Sequence, residues 1–562
     1  MKVVIVGGVA GGASAAARLR RLDEQAEIVV FERSGYMSYA NCGLPYYVGD
    51  VIRKESALTL QTPESFNSRF RVAVKVRHEV TAILPGEKCV LVKDLTSGSE
   101  FRESYDKLIL APGAKPTRPN LPGIDLPGIY TLRTVEDTLK IKEYVNEKKP
   151  RSVVLAGGGF IGVELAENLR ERGVEVSIVE GLTQVMSPFD PEMAAFIHGE
   201  LRRGGVQLHL GSFIDSFAAA EGGIDVRLQS GAVVHGDAVI LAIGVTPDTA
   251  LAKAAGLELG QRGSIVVNDR METSVPDIYA VGDAVQVKQY ITGEESVISL
   301  AGPANKQGRI AADNICGRNS RYPGSLGTSV LKVFDMTAAS VGINEAAAKR
   351  AGLRTDKLYL SPNSHATYYP GSQLINMKVL FELDTWRILG AQMVGGEGTD
   401  KRIDVLAAAI QGGLDVRQLA DLQLAYAPPY GAAKDPVNMV GFMAENISND
   451  LVRQIHWHDV DTLPRDGSAV LLDVRTVPEY TQGHAPDFIN IPLHELRDRM
   501  GEIPAGKPVY VMCQSALRSY IGCRILTQHG FESFNIAGGY RLYSTVVHDA
   551  EAKKTAAPCG KE

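Results

Sequence analysis

Two glycine-rich turns, each set between a strand and a helix, constrain this fold more than any other feature. Residues 3–6 form a short β-branched run that leads into Gly7-Gly8-Val9-Ala10-Gly11-Gly12 and then a helical run over 13–22. Far along the chain, Ser152–Ala156 leads into Gly157-Gly158-Gly159-Phe160-Ile161-Gly162 and a helix over 163–172. Glycine permits the tight turn, and the helix N-terminus then presents free N–H groups to a pyrophosphate. Each unit continues to a second strand that ends on an acid: Glu32 after residues 28–31, Glu180 after residues 176–179. An acid about 20 residues past the glycines is placed to accept from ribose hydroxyls. At Glu180 it also repels a 2′-phosphate, which predicts NADH over NADPH. Gly157, Gly159 and Gly162 fill the fingerprint, whereas Val9 stands at the middle glycine of the first unit. Gly7, Gly8, Ala10, Gly11 and Gly12 are the candidate contacts there. Two such units predict parallel α/β sheets and two bound dinucleotides, one FAD and one NAD.

The remaining length must hold more than these two units. At 562 residues the chain predicts three or four domains. Its net charge of -6 offers no broad basic surface for nucleic acid. Six cysteines, at 42, 89, 316, 513, 523 and 559, show neither metal-type nor disulfide-framework spacing, which fits a reducing cytoplasm with one or two working thiols. The start runs directly into the first strand without a signal-peptide pattern, and no apolar run reaches the ~18 residues of a membrane span.

The stretch Ser38-Tyr39-Ala40-Asn41-Cys42-Gly43-Leu44-Pro45-Tyr46-Tyr47 carries one cysteine shortly after the first fingerprint, and the next, Cys89, is far down the chain. Cys42 therefore reads either as an inert packing residue or as a redox thiol beside a flavin, whose sulfur partner comes from outside the chain. Arg18, Arg20 and Arg21 on the first helix read as a solvated face or as a cationic patch for a phosphorylated substrate.

Two further motifs bring in a family. Tyr105-Asp106-Lys107-Leu108-Ile109-Leu110-Ala111-Pro112-Gly113-Ala114 lies between the glycine units, and Thr273-Ser274-Val275-Pro276-Asp277-Ile278-Tyr279-Ala280-Val281-Gly282-Asp283-Ala284 follows them. With the fingerprints, residues 1 to about 445 resemble the FAD-dependent pyridine nucleotide-disulfide oxidoreductases. The resemblance implies an FAD domain from residues 1–115 and 245–320, an inserted NAD domain at 116–244 and an α+β dimerisation domain at 325–446. It implies Asp283 at the flavin ribityl chain, with Arg33, Val80, Ala111, Gly113, Gly282 and Ala301 as further cofactor contacts. The single cysteine in Asn-Cys-Gly-Leu-Pro-Tyr-Tyr resembles the coenzyme A disulfide reductases. That likeness implies a homodimer, in which Tyr368 and Tyr426 serve the departing thiolate at the Cys42 of the other subunit. It makes Ser14, Arg18, Arg21, Ser38, Asn41 and Lys434 candidates for holding coenzyme A.

Residues 446–450 read as a polar joint, and about 100 residues of separate α/β pattern follow. Val509–Met512 delivers Cys513-Gln514-Ser515-Ala516-Leu517-Arg518 at a strand end. Backbone N–H groups of a loop curled there stabilise a thiolate or persulfide anion, and Arg518 can add charge. With Asp473-Val474-Arg475, Gly483-His484 and Gly538-Gly539, residues 451–548 resemble a rhodanese sulfurtransferase domain. Cys523 reads as packing, and residues 549–562, with Cys559, as a disordered tail.

These readings converge on NADH- and FAD-dependent reduction of a sulfur–sulfur bond through Cys42: a coenzyme A disulfide, a coenzyme A persulfide or a polysulfide. Cys513 would deliver sulfane sulfur. The alternatives are an NADH oxidase or peroxidase cycling Cys42 through a sulfenic acid, and a redox-sensing or sulfur-carrying protein without turnover.

Overall fold

The computed structural model describes residues 1–556 and divides into two compact units. The first comprises Met1–Thr183, Gly205–Gln207 and Gly211–Gly327. Its leading sheet is parallel and centred on β1 (Lys2–Val6), whose Val3, Val4 and Ile5 are fully buried. Helix α1 (Ala10–Leu22) follows, then β2 (Glu27–Glu32), which pairs with β1 in the register Val4↔Val29. Burial on both faces explains why these strands read as apolar runs rather than as alternation. The short helix α2 (Leu44–Val48) carries the residues after Cys42. On the other side of β1 lies β3 (Lys107–Leu110), and strand Ile278–Ala280 pairs with it, Ile278↔Leu108. The first sheet is thus completed by chain that comes after the second nucleotide unit.

The second nucleotide unit, also within the first compact unit, repeats the plan. Strand β4 (Ser152–Ala156), helix α3 (Phe160–Glu171) and strand β5 (Glu175–Glu180) form a parallel βαβ turn, Leu155↔Ile178. Strands Ala238–Leu241 and Ile129–Thr131 extend the sheet on the far side of β4. Both helices begin inside the glycine runs, earlier than the apolar pattern predicts. Back in the first sheet's layer, α4 (Ala301–Ile315) packs on α1 so closely that a Cβ at Gly308 would collide with the Gly11 carbonyl oxygen.

The second compact unit comprises Gln184–Gly204, Leu208–Leu210 and the chain from Thr328 onward. It holds an antiparallel five-stranded sheet in which β6 (Ile375–Glu382) lies between Ile388–Gly395 and Thr355–Leu360. Lys378 of β6, 1 % exposed, is ion-paired to Asp190, Glu192 and Glu345, so helix Pro191–Arg203 is tied to that sheet by charge as well as by apolar burial. After α5 (Thr399–Gln411) comes helix Pro436–Ser448, which runs through most of the stretch 446–450 expected to be a joint. Val437, Val440 and Ala444 anchor it, and their apolar spacing carries the last turn past the polar residues.

The C-terminal sheet is parallel, with β7 (Val470–Asp473) and β8 (Val509–Met512) adjacent at its centre. Helix α6 (Leu517–Gln528) returns the chain to β9 (Ser533–Ile536). The expectation of disorder from residue 549 is corrected: α7 spans Gly539–Ala556. Asp549 receives Arg202 Nη1 at 2.7 Å and faces the buried His198 Nδ1 at 3.0 Å, partners that the tail's composition does not reveal. Cys559 lies outside the described residues. No described helix is long and apolar enough to cross a membrane.

Candidate functional site

The two glycine turns have the geometry of dinucleotide cradles. Gly7 has φ +97°, and a Cβ there would collide with the Ala111 carbonyl oxygen; only glycine fits. The space a Cβ would take at Gly159 is open, so the protein itself does not demand glycine there; an approaching pyrophosphate does. Val9 explains itself by its φ of −101°, which any L-residue adopts. Neither α1 nor α3 has a side-chain N-cap, leaving first-turn N–H groups for an anion. Glu32 accepts from Gly8 N at 2.8 Å and from Ser34 N at 2.9 Å. Glu180 does the same with Gly158 N at 2.7 Å and Leu182 N at 2.8 Å. These bonds hold both carboxylates at the mouth of their turns. The residues present fit FAD in the first cradle and NADH in the second.

The other expected cofactor contacts lie on several elements. Gly113 turns at φ +68° just after β3, Gly282 at +84° beside Asp283, and Ala301 is the first residue of α4. Asp283 receives Arg133 Nη2 at 2.7 Å. Val80 is buried on strand His78–Leu84. Arg33 is ion-paired with Asp248 at 2.8 Å.

Cys42 sits in a single 3-10 turn, Asn41–Gly43, that leads into α2. Cys42 is an exposed residue, and none of the five described cysteines is in a disulfide. Packing beneath the turn pushes the thiol up from its ordinary value, the Glu164 carboxylate adds to that, and Arg133 opposes it. Asn41 lies against Arg133, its amide able to donate to the Arg133 carbonyl at 3.1 Å and to accept from Nη1 at 3.2 Å. Glu164, in the first turns of α3, accepts from Tyr46 Oη at 3.2 Å. Burial, with a lesser push from Glu167, raises Glu164 to about 7 against the hydrogen bond from Tyr46. Sequence reasoning missed Arg133, Tyr46 and Glu164. One signal was available: Glu164 interrupts the apolar run Ile161, Val163, Leu165 immediately after the second fingerprint.

The expected substrate contacts partly converge. Ser14, Arg18, Arg21 and Ser38 line one cavity of about 350 Å³ together with Phe66, Asn305 and Arg309, which sequence reasoning did not single out. Arg18 Nε is bonded to Asp313 at 2.7 Å, so Arg21 and Arg309 carry more of the cavity's uncompensated cationic character. Arg20 is neither on a solvated face nor in the cavity. It is buried, and its guanidinium donates to the carbonyls of Phe70, Asp23, Glu24, Ala26 and Arg71. In the second compact unit, Tyr368 and Tyr426 share a hydroxyl–hydroxyl bond of 2.7 Å at exposures of 73 % and 47 %. That bond pushes the Tyr368 phenol up. Lys434 is exposed.

The second cysteine site is enclosed. Cys513, 1 % exposed, follows β8 directly and packs among apolar residues such as Leu472, Val474 and Val511. The loop leaves through Ala516 in the left-handed region, φ +67°, and enters α6. A Cβ at Gly539 would collide with the Cys513 carbonyl oxygen; glycine lets Tyr540 N reach that oxygen at 2.7 Å. Arg518, expected to lend charge to the sulfur, is clamped by Glu479 through bonds of 2.6 and 2.7 Å, which hold the Glu479 carboxyl down to about 2. Two opposite charges so paired offer little net field to a thiolate. Cys523 is buried beneath, its thiol pushed up to about 12 by burial, in keeping with a packing role.

Comparisons with known proteins follow this geometry. Residues 1–308 match the model of the pyridine nucleotide-disulphide oxidoreductases, 328–436 that family's dimerisation domain, and 457–545 a rhodanese-like domain. The chain is 36% identical over 445 residues to a coenzyme A disulfide reductase of Staphylococcus aureus, covering 79% of this chain and 100% of that one. The fold is similar to reduced CoADR-RHD of Bacillus anthracis, with TM-score 0.95, 49% identity and 98% of each chain covered. It is also similar to a NAD-dependent persulfide reductase from A. fulgidus, with TM-score 0.91, 37% identity, and 97% and 100% of the two chains covered.

Proposed function

The chain belongs to the pyridine nucleotide-disulphide oxidoreductase family, and from that premise we propose that it reduces a coenzyme A-linked persulfide or polysulfide with electrons from NADH. The observation that supports this reading is an exposed Cys42 without a disulfide partner in a chain that also holds a second, enclosed cysteine, Cys513, at a strand end. The Cys42 thiolate attacks the carbon-bound sulfur of a persulfide R–S–SH. A Cys42–S–R bond forms, the S–SH bond breaks, and hydrosulfide leaves with the bonding pair. The first cradle would hold FAD and the second NADH, which when bound would supply the electron pair that returns Cys42 to a thiolate as R–S⁻ is released. Over the cycle, NADH, R–S–SH and one proton give NAD⁺, R–SH and H₂S.

The chain's own residues set up each step. Arg133 favours the Cys42 thiolate, and Glu164, poised near neutrality, takes or holds a proton beside it. The cavity of Ser14, Arg18, Arg21, Ser38 and Arg309 takes the phosphorylated end of coenzyme A, with Asn41 and Lys434 in support. Tyr368 and Tyr426, from the other subunit of a homodimer, deliver a proton to the departing thiolate through their shared bond. Cys513 accepts sulfane sulfur and passes it to the carrier thiol. The domain limits that go with this reading are 1–115 with 245–320, 116–244, 325–446 and 451–548.

Anaerobic NADH oxidation with coenzyme A persulfide, against peroxide and oxygen as controls, tests it. The expected result is sulfide release matched to NADH and lost on Cys42→Ala. Faster turnover with peroxide or oxygen would instead identify a sulfenic acid cycle, and negligible turnover on every acceptor a sensor or carrier.

A further inference from the structure

The clamp on Arg518 leaves the rhodanese sulfur in need of another donor, and one is present. Ser519, wholly buried in the first turn of α6, places its Oγ 3.2 Å from Cys513 Sγ and 2.6 Å from Asn535 Oδ1. Asn535 is fixed from β9: its Nδ2 donates to the Ala516 carbonyl at 3.3 Å, which turns Oδ1 toward the serine. A hydroxyl has one proton and two lone pairs. With Cys513 as a thiol, Ser519 donates to Asn535 and can accept the S–H. With sulfur as an anion, the S–H is gone, and the one hydroxyl proton is contested between a neutral amide oxygen and a charged sulfur. Bonds to the charged acceptor are the stronger, so the hydroxyl turns to sulfur.

We infer that Ser519 is a positioning residue for sulfur transfer at Cys513, donating its hydroxyl proton to the anionic sulfur while Asn535 keeps that hydroxyl within reach. This rests on the reading of Cys513 as a sulfur acceptor. With thiosulfate as donor, the Cys513 thiolate attacks the outer sulfur. The new S–S bond forms, the S–SO₃ bond breaks, and sulfite leaves with the bonding pair, so a persulfide anion replaces the thiolate. Ser519 Oγ, 3.2 Å from Sγ, serves the attacking thiolate. Of the other charged or titratable groups around the sulfur, Arg518 is held by Glu479, Arg475 by Asp473 at 2.7 Å, and Cys523 is packed beneath on α6. Arg541 of α7, whose backbone N–H bonds the Gln514 carbonyl, keeps a buried Nε without a partner among the described residues, and burial opposes its charge.

The test uses the full-length holoenzyme and thiosulfate. Site-resolved mass spectrometry follows the gain of one sulfur at Cys513, and the pH profile of Cys513 alkylation is read from the same peptide. Ser519→Ala is expected to slow persulfide formation about ten- to hundredfold, the range of one hydrogen bond to a charged group, and to move the alkylation profile up by about one pH unit. Ser519→Thr, which keeps the hydroxyl, is expected to restore both. A Ser519→Ala enzyme that is slower at every pH with an unmoved profile, or that matches the parent, overturns the inference. A parent enzyme that gains no sulfur at Cys513 removes the sulfur-acceptor reading and the inference with it.

Discussion

At the scale of single residues, acids decide more here than the cysteines they surround. Glu164 is the clearest case. Its carboxyl lies at about 7 rather than in the usual carboxylate range because burial on α3 outweighs the bond from Tyr46. Folded protein therefore holds this proton where unfolded chain has lost it. The stabilisation is complete below about 4.5 and is lost as pH rises through about 7, of order 3 kcal/mol in all. Glu164→Gln is expected to remove that slope from the pH dependence of chemical denaturation and to erase the turnover limb near neutrality. An unchanged limb would place the controlling proton elsewhere. Glu180 tests differently. Glu180→Ser is expected to lower kcat/KM for NADH about tenfold to hundredfold and to raise that for NADPH, since the ribose partner is lost and the repulsion of a 2′-phosphate with it.

At the scale of elements, the strand–turn–helix units depend on backbone approach rather than on side-chain bonds. A Cβ at Gly12 would strike the Gly7 carbonyl oxygen, which cannot yield without breaking the turn. Gly12→Ala is expected to yield protein without flavin absorbance while the C-terminal sheet folds normally, as far-UV and visible spectra will report. The contrast between Val9 and Gly159 belongs here too. The fingerprint is one pattern in sequence but two requirements in structure, one set by the turn and one by the ligand. The turn itself therefore tolerates a valine at position 9, where φ stays negative, just as the open space at Gly159 would admit a side chain.

At the scale of the whole molecule, the second compact unit is bound together by buried charge. Asp549, near the end of the final helix, holds Arg202 and His198 of helix Pro191–Arg203, and Lys378 holds three carboxylates. Removing one member of such a set strands the others in low dielectric at a cost of about 3–5 kcal/mol. Asp549→Ala is expected to abolish slow hydrogen exchange along Gly539–Ala556 while the sheet through Ile375–Glu382 keeps its protection. Lysine acting as the central cation also explains why Asp190, Glu192 and Glu345 cluster without calling for a metal. Cys513→Ala is expected to leave NADH-driven reduction of a small persulfide intact and to stop thiosulfate from supporting it, measured as sulfide release with each donor.

The amino-acid sequence alone determined what local chemistry determines. Glycine spacing, strand-end acids, one cysteine in each sulfur loop and their apolar strands follow from backbone sterics and short-range periodicity, which is why the cradles and the order of elements were legible. The tertiary structure decided everything that depends on which distant groups share a low-dielectric space. Arg20 and Arg518 look like free cations in sequence, yet one is consumed by five carbonyls and the other by Glu479. Glu164 and Ser519 look ordinary until folding brings them to Cys42 and Cys513, because a side chain's charge, proton and reach are set by neighbours on other elements, such as Tyr46 for Glu164 and Asn535 for Ser519.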